Sequence, residues 1–250
     1  MEDIIVYFAV KYNGNWDSIY QAISKKERVD MEDVKKVISK ISFKWVTILS
    51  KNYPNKLKEI SKPPFVLFYK GNYDLLNEKS IAVIGSRNAT KYGLNSCEKI
   101  VKDLINQEYC IISGLAKGID SCAHNKTLQE YGKTIAILGY GHNFKDDDLQ
   151  KKIENKGLVI SEYPENVFPQ KRNFLFRNRL ISGLSLGVVV IEAKYKSGTM
   201  NTVAYALEQN KDVFCVPNRI GEQSGCNKLI QEGAKLVESG KDIIEELSYR

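Results

Sequence analysis

The chain reads as an α/β protein of the extended Rossmann-like, doubly wound type, with a mostly parallel sheet and a small helical N-terminal segment. Three observations carry that reading. After residue 60, short apolar runs rich in β-formers alternate with longer stretches of helical spacing. The runs are near-continuous in hydrophobicity rather than alternating, as strands covered by helices on both faces must be. Several of them lead into turns of glycine and small hydroxyl residues placed directly before a helix, where a parallel sheet presents its ligand-binding edge.

The elements follow in order. Residues 1–60 form a small helical domain in this reading. Asp17–Ile23 and Met31–Ile41 carry apolar residues at helical spacing (Ile19, Ala22, Ile23; Val34, Val37, Ile38, Ile41), and Asp30 can cap the second. Ser61-Lys62-Pro63-Pro64-Phe65 marks a boundary, because paired prolines cannot continue a helix. Residues 61–250 form the Rossmann-like domain. Its strand candidates are Phe65–Tyr69, Ile81–Ile84, Cys110–Ser113, Thr134–Leu138, Leu158–Ser161, Gly187–Ile191, Asp212–Val216 and Lys235–Val237. Helical stretches such as Tyr92–Gln107, Ile119–Tyr131 and Met200–Gln209 lie between them, and Lys241–Arg250 reads as a closing helix.

Composition narrows the function. A chain of 250 residues with 43% hydrophobic content can bury a full core, and its net charge of +7 favours an anionic partner. The five cysteines are scattered without a CxxC pair, which fits free thiols in a reducing cytosol. The first residues are acidic ahead of their apolar run, unlike a secretion signal, and no apolar segment approaches the ~20 residues of a membrane span. A soluble cytoplasmic protein is expected.

The most informative stretch is Pro169–Gly183, PQKRNFLFRNRLISG. Three of the seven arginines (Arg172, Arg177, Arg179) fall here beside Lys171, interleaved with Phe168, Phe174 and Phe176, and no Asp or Glu occurs between Glu165 and Glu192. Cations interleaved with aromatics suit a single-stranded nucleic-acid groove, where charge tracks phosphates and rings stack on bases. The same residues also fit an amphipathic helix with Phe174, Leu175 and Leu180 in the core. If Asn173–Leu180 is helical, Phe174, Arg177 and Asn178 share a face.

Three strand-following turns point to one anion-binding rim. Gly85-Ser86-Arg87 offers a close backbone approach, a hydroxyl and a bidentate donor. Gly114–Gly118 frames Lys117 ahead of a helix, and Ser197-Gly198-Thr199 opens another. Neither the dinucleotide fingerprint GxGxxG nor a P-loop is present. Catalytic patterns are poor. His124 and His142 have no partner pattern, Asp120 suits the first turn of its helix, and Asp146-Asp147-Asp148 reads as a helix-starting acidic turn rather than a metal cluster. No catalytic residue, metal or cofactor is assigned.

Taken together, these motifs resemble the DprA/Smf family of DNA-processing proteins, from about Trp45 to Val237. The resemblance rests on YPNKLKEISKPPFVLFYKGN (53–72), IAVIGSRNATKYG (81–93), IISGLAKGIDSCAH (111–124), ILGYG (137–141) and ISEYP (160–164). It continues through FLFRNRLISGLS (174–185), VVVIEAKYKSGTMNTVAYALE (188–208) and VFCVPNRIGEQSGCNKLIQEGA (213–234). It implies an extended Rossmann core that binds single-stranded DNA without catalysis, dimerises, and loads the RecA recombinase during natural transformation. The family's GSR turn corresponds to Gly85-Ser86-Arg87, its basic aromatic stretch to Lys171–Arg179, and its SGS turn to Ser197-Gly198-Thr199. Many members carry a C-terminal winged-helix module, which this sequence does not show. The stretch between Gly141 and Gly157 also lacks the usual tyrosine-proline-asparagine pattern. For the expected homodimer, Leu229, Ile230, Leu236 and Val237 are apolar candidates, although they also fit simple cover for the last strand. An alternative of another class is a nucleotide phosphoribohydrolase of LOG-like Rossmann type. It would use Ser197-Gly198-Thr199 with Glu208, but the paired glycines that precede the threonine there are replaced by Tyr195-Lys196.

Overall fold

The computed structural model describes residues 1–144, 147–219 and 224–249. In chain order its elements begin with α1 (Glu2–Lys11), α2 (Trp16–Ser24), α3 (Met31–Ile38), β1 (Lys44–Thr47), α4 (Asn55–Lys58) and β2 (Val66–Gly71). After a 3₁₀ turn at Tyr73–Asn77 come β3 (Ser80–Ile84), α5 (Lys91–Ile105), β4 (Cys110–Ser113), α6 (Ile119–Gln129), β5 (Thr134–Leu138), α7 (Asp148–Lys156) and β6 (Leu158–Ser161). The chain continues through α8 (Lys171–Leu184), β7 (Gly187–Val190), α9 (Gly198–Glu208), β8 (Asp212–Cys215), α10 (Gly225–Gln231), β9 (Lys235–Leu236) and α11 (Gly240–Ser248).

One nine-stranded sheet runs β1-β2-β6-β5-β4-β3-β7-β8-β9. The strands from β6 to β9 are parallel, and β2 joins β6 antiparallel before β1 closes that edge. The mostly parallel, doubly wound expectation holds, and the parallel strands are buried because helices cover both faces. On one face Ala82, Ile112, Ile137 and Val190 pack against α4, α8, α9 and α10 through Leu57, Leu180, Val203 and Leu229. On the other, Ile81, Val83, Ile111 and Val189 pack against α5, α6 and α11 through Ile100, Ile119 and Ile243.

The N-terminal helices sit on the antiparallel edge. Val66 and Phe68 of β2 point to Val6, Phe8 and Ile19 of α1 and α2, whereas Leu67 between them faces the α8 layer. Asp30 caps α3 through the Glu32 amide, as its position in the sequence suggests. Asp147 caps α7 through the amides of Leu149 and Gln150; Asp146 lies outside the described residues.

Three elements escaped the sequence reading. Helix α1 is apolar nearly all round, with Ile5, Val6, Phe8 and Ala9 buried, so it shows no clear stripe. Strand β1 is only four residues long, and α4 is a single turn. Because β1 pairs with β2, the sheet begins ahead of the double proline at 63–64 rather than after it.

The order of the strands locates a binding site. From β3 the chain winds outward through β4 and β5 to β6, then α8 carries it back across the sheet to β7 on the other side of β3. At such a reversal the helices following two neighbouring strands diverge and leave a crevice at the strands' carboxyl ends. Here the crevice opens after Ile84 and after Ile191.

Candidate nucleic-acid interface

A crevice of about 540 Å³ occupies that switch point. It is lined by Gly85, Ser86 and Arg87 after β3, by Lys194 and Lys196–Thr199 after β7, and by Lys171, Phe174, Arg177 and Asn178 of α8. Segments far apart in sequence therefore meet at the point that the topology dictates.

The turn after β3 is braced from behind. The Ser86 amide donates to the Glu192 carbonyl at 2.7 Å, and the Ile119 amide to the Ser86 carbonyl at 3.1 Å. Gly118 has φ +83°, and a Cβ there would fall 2.1 Å from the Ser86 carbonyl oxygen, so only glycine lets the two loops touch. This gives the Gly114–Gly118 loop a buttressing task. Lys117 is exposed but does not line the crevice, so the expectation that it joins the rim is corrected. The Ser86 hydroxyl accepts from the Asn88 amide at 3.1 Å and keeps its own proton to donate. Arg87 is exposed, with its guanidinium 5.4 Å from the centroid of Phe174.

On the β7 side, α9 points its N-terminus into the crevice. Its N-cap Ser197 makes no side-chain cap, and the Ser197 hydroxyl is buried without a partner among the described residues. The Thr199 hydroxyl donates to the Gly85 carbonyl at 3.2 Å, tying the two turns together. Free amides and the helix dipole at this end favour an anion. Lys194 and Lys196 add two exposed cations that the sequence reading did not select. Their signal was present, since both flank Tyr195 in the same strand-following turn as Ser197.

Helix α8 divides its residues between two jobs. Lys171 is exposed on the crevice rim, and Phe174 is half-buried beside it. Arg172, one residue on, faces a different cleft. Arg177 is 3% exposed and forms the crevice floor. It donates to the carbonyls of Gly114 and Ile137 and to the Asn178 side chain. Burial lowers the Arg177 pKa and raises that of Asp120, while their mutual attraction pulls each back. Asn178 bonds the Asn201 side chain at 3.1 Å, joining α8 to α9.

Arg179 is 1% exposed. Its two terminal nitrogens grip the Glu162 carboxylate at 2.7 and 2.6 Å, its Nε donates to the Lys62 carbonyl, and it lies 3.6 Å from the Phe176 centroid. Arg179, expected among the DNA contacts, is thus turned into the core away from the crevice, whereas Arg177 and Asn178, although buried, line it. Leu175, expected in the core, is only partly buried.

Both histidines are interior. His124 bonds Thr134 at 2.7 Å and burial pushes its pKa down to about 3; His142 is likewise pushed down to about 4. Glu208 is exposed at the far end of α9, about 15 Å from Ser197-Gly198-Thr199 by helical rise, so the pairing that a phosphoribohydrolase reading needs does not form. Among the dimer candidates, Leu229 and Val237 are core residues, while Leu236 is 50% exposed. Among the described residues no helix is long and apolar enough to cross a membrane.

The family model for DNA recombination-mediator protein A matches residues 44–248. The chain belongs to this family. DNA processing protein DprA of Streptococcus pneumoniae is 48% identical over 209 residues, covering 81% of this chain and 74% of the relative. An X-ray structure of DNA processing protein A from the same species superposes with a TM-score of 0.82 at 40% identity, covering 98% of this chain and 93% of that one. A structure of DNA processing protein A from Helicobacter pylori, solved for its single-stranded DNA binding mode, gives 0.74 at 29% identity over 83% of this chain and 97% of that one.

Proposed function

We propose that this protein binds single-stranded DNA without catalysis across the switch-point crevice, protects it, and helps load a RecA-type recombinase on it, as in natural transformation. One observation carries the reading. Arg87, Lys171, Lys194 and Lys196 converge on a single crevice, and none of them has a carboxylate partner among the described residues. Unpaired cations with a half-buried ring, Phe174, match what phosphates and an unstacked base require. Family membership and the single-strand binding of the Helicobacter pylori relative support it.

In this reading the sheet is the DNA-binding unit and the helical N-terminal segment an accessory. The protein acts as a homodimer, which aligns two crevices on one strand and raises avidity. Exposed Leu236 on the edge strand β9 is the residue available to such a contact. Sedimentation equilibrium at micromolar concentration checks it, and a clean 28.4 kDa species counts against it. The DNA claim is tested by fluorescence anisotropy with labelled single-stranded and duplex oligonucleotides of equal length. The single strand binds tighter, because paired bases cannot reach Phe174. Equal affinity for the two, or none for either, contradicts the reading.

A further inference from the structure

A second cleft, of about 830 Å³, lies between the N-terminal helices and the start of α8. Its walls include Trp16, Phe176 and Tyr205, with Arg172 and Phe168 at its mouth. It exists because the segment between α1 and α2 approaches the end of β6 closely. Gly14 has φ +71°, and a Cβ there would meet the Tyr163 ring at 2.8 Å and the Glu162 carbonyl at 2.9 Å.

The cleft and the crevice are joined by a line of rings. Phe174 lies 6.0 Å from Tyr140, Tyr140 is 5.7 Å from Phe144, and Phe144 is 5.3 Å from Phe168, each pair edge to face. The first ring borders the crevice and the last borders the cleft. Beyond the half-buried Phe174 and the buried Tyr140 the rings open to solvent, Phe144 being 40% and Phe168 69% exposed. Large apolar rings left open beside cations are costly decoration for a free surface and apt for one that stacks on bases. Arg172 is exposed at the same place with no carboxylate partner among the described residues. Asp17, an acidic residue that lines the cleft, is held by Lys62 at 2.7 Å.

We infer that a single strand held in the crevice continues over Phe144 and Phe168 into this cleft, with Arg172 meeting its phosphate and the N-terminal helices forming the far wall. The inference rests on the proposed single-strand binding and extends it to a second subsite for unpaired bases. The N-terminal segment is then part of the nucleic-acid surface.

Oligonucleotide length separates the two subsites. Oligo-dT of about 5 nucleotides fills the crevice alone, and about 15 nucleotides reaches both, within the span of known single-strand sites. Phe168→Ala weakens the longer oligomer by roughly fivefold or more and leaves the shorter unchanged, while Phe168→Trp binds both like the wild type. Arg87→Ala weakens both lengths. If Phe168→Ala binds both lengths like the wild type while Arg87→Ala does not, the strand leaves the crevice by another route and the inference fails alone. If Phe168→Ala loses both lengths equally, Phe168 acts on the crevice itself and the second subsite is overturned. If the wild type binds neither oligomer, the underlying function fails with it.

Discussion

The two ends of α8 share a composition and differ in fate. At its first turn Lys171 and Arg172 stand in solvent, each opening on a different cavity. Two turns later Arg177, on the crevice floor, and Arg179, in the core, are buried, their donors spent on Gly114, Ile137, Lys62 and Glu162. The helix starts at the sheet's carboxyl edge and runs back under the sheet, so its later residues enter the core beside Leu180 and Leu184. Arginine serves both ends because a planar fork that fits a phosphate also fits a carboxylate or a pair of carbonyls. A run of cations along a chain is therefore not a patch of charge in space.

The largest effect that would break this comparison belongs to a buried residue. Arg179→Ala strands Glu162, itself 4% exposed, and is expected to cost about 3–5 kcal/mol of folding stability in urea titration. Affinity for single-stranded DNA per folded molecule stays unchanged. A loss of affinity without loss of stability would move Arg179 to the DNA.

Acid sharpens the contrast next. The two histidines are held neutral by burial, with pKa values of about 3 and about 4 against an ordinary 6.5. Below 6.5 the unfolded chain binds protons that the folded chain does not, so stability falls as pH falls from 6.5 towards 4. Each histidine contributes about 1.4 kcal/mol per pH unit. Asp120, raised by burial, works in the opposite sense above its ordinary value and softens the slope. Melting temperatures between pH 7 and 5 measure the fall, and His124→Asn flattens it. Single-strand affinity shows no step near pH 6.5, since neither histidine lines the crevice; such a step would put one there.

Rim substitutions do the reverse of Arg179→Ala. Arg87→Ala is expected to cost about 1.5–3 kcal/mol of binding, measured by anisotropy, with no change in melting temperature. Arg87→Lys recovers part of it, because a point charge cannot reproduce the fork. Lys171→Ala has the smallest effect, weakening all single-strand sequences alike.

Much of the fold was legible. Seven parallel strands begin within one residue of their expected starts, because continuous apolar runs such as Cys110–Ser113 and Thr134–Leu138 allow little else. The turns 85–87 and 197–199 were found, since glycine beside a hydroxyl at a helix start has a mechanism behind it. What could not be read was how deeply α8 buries its polar side chains. Its polar residues point inward to carbonyls and to Glu162, partners far off in sequence that leave no periodic trace. Lys117 misled for a related reason: Gly118 serves contact with the Ser86 turn, and Gly114 makes room for Arg177 and Asp120. The cleft behind Arg172 depends on the connector between α1 and α2, whose approach to Tyr163 through Gly14 leaves no periodic signal.

The most direct test is the dependence of single-strand affinity on salt, taken where every variant is folded. With four to six phosphate contacts the wild-type log–log slope is roughly −3 to −4, since each contact contributes about 0.7. Removing both Arg87 and Lys171 makes it shallower by about 1.4, and Arg179→Ala leaves it unchanged. A slope that Arg179→Ala flattens and the double substitution preserves would contradict the account.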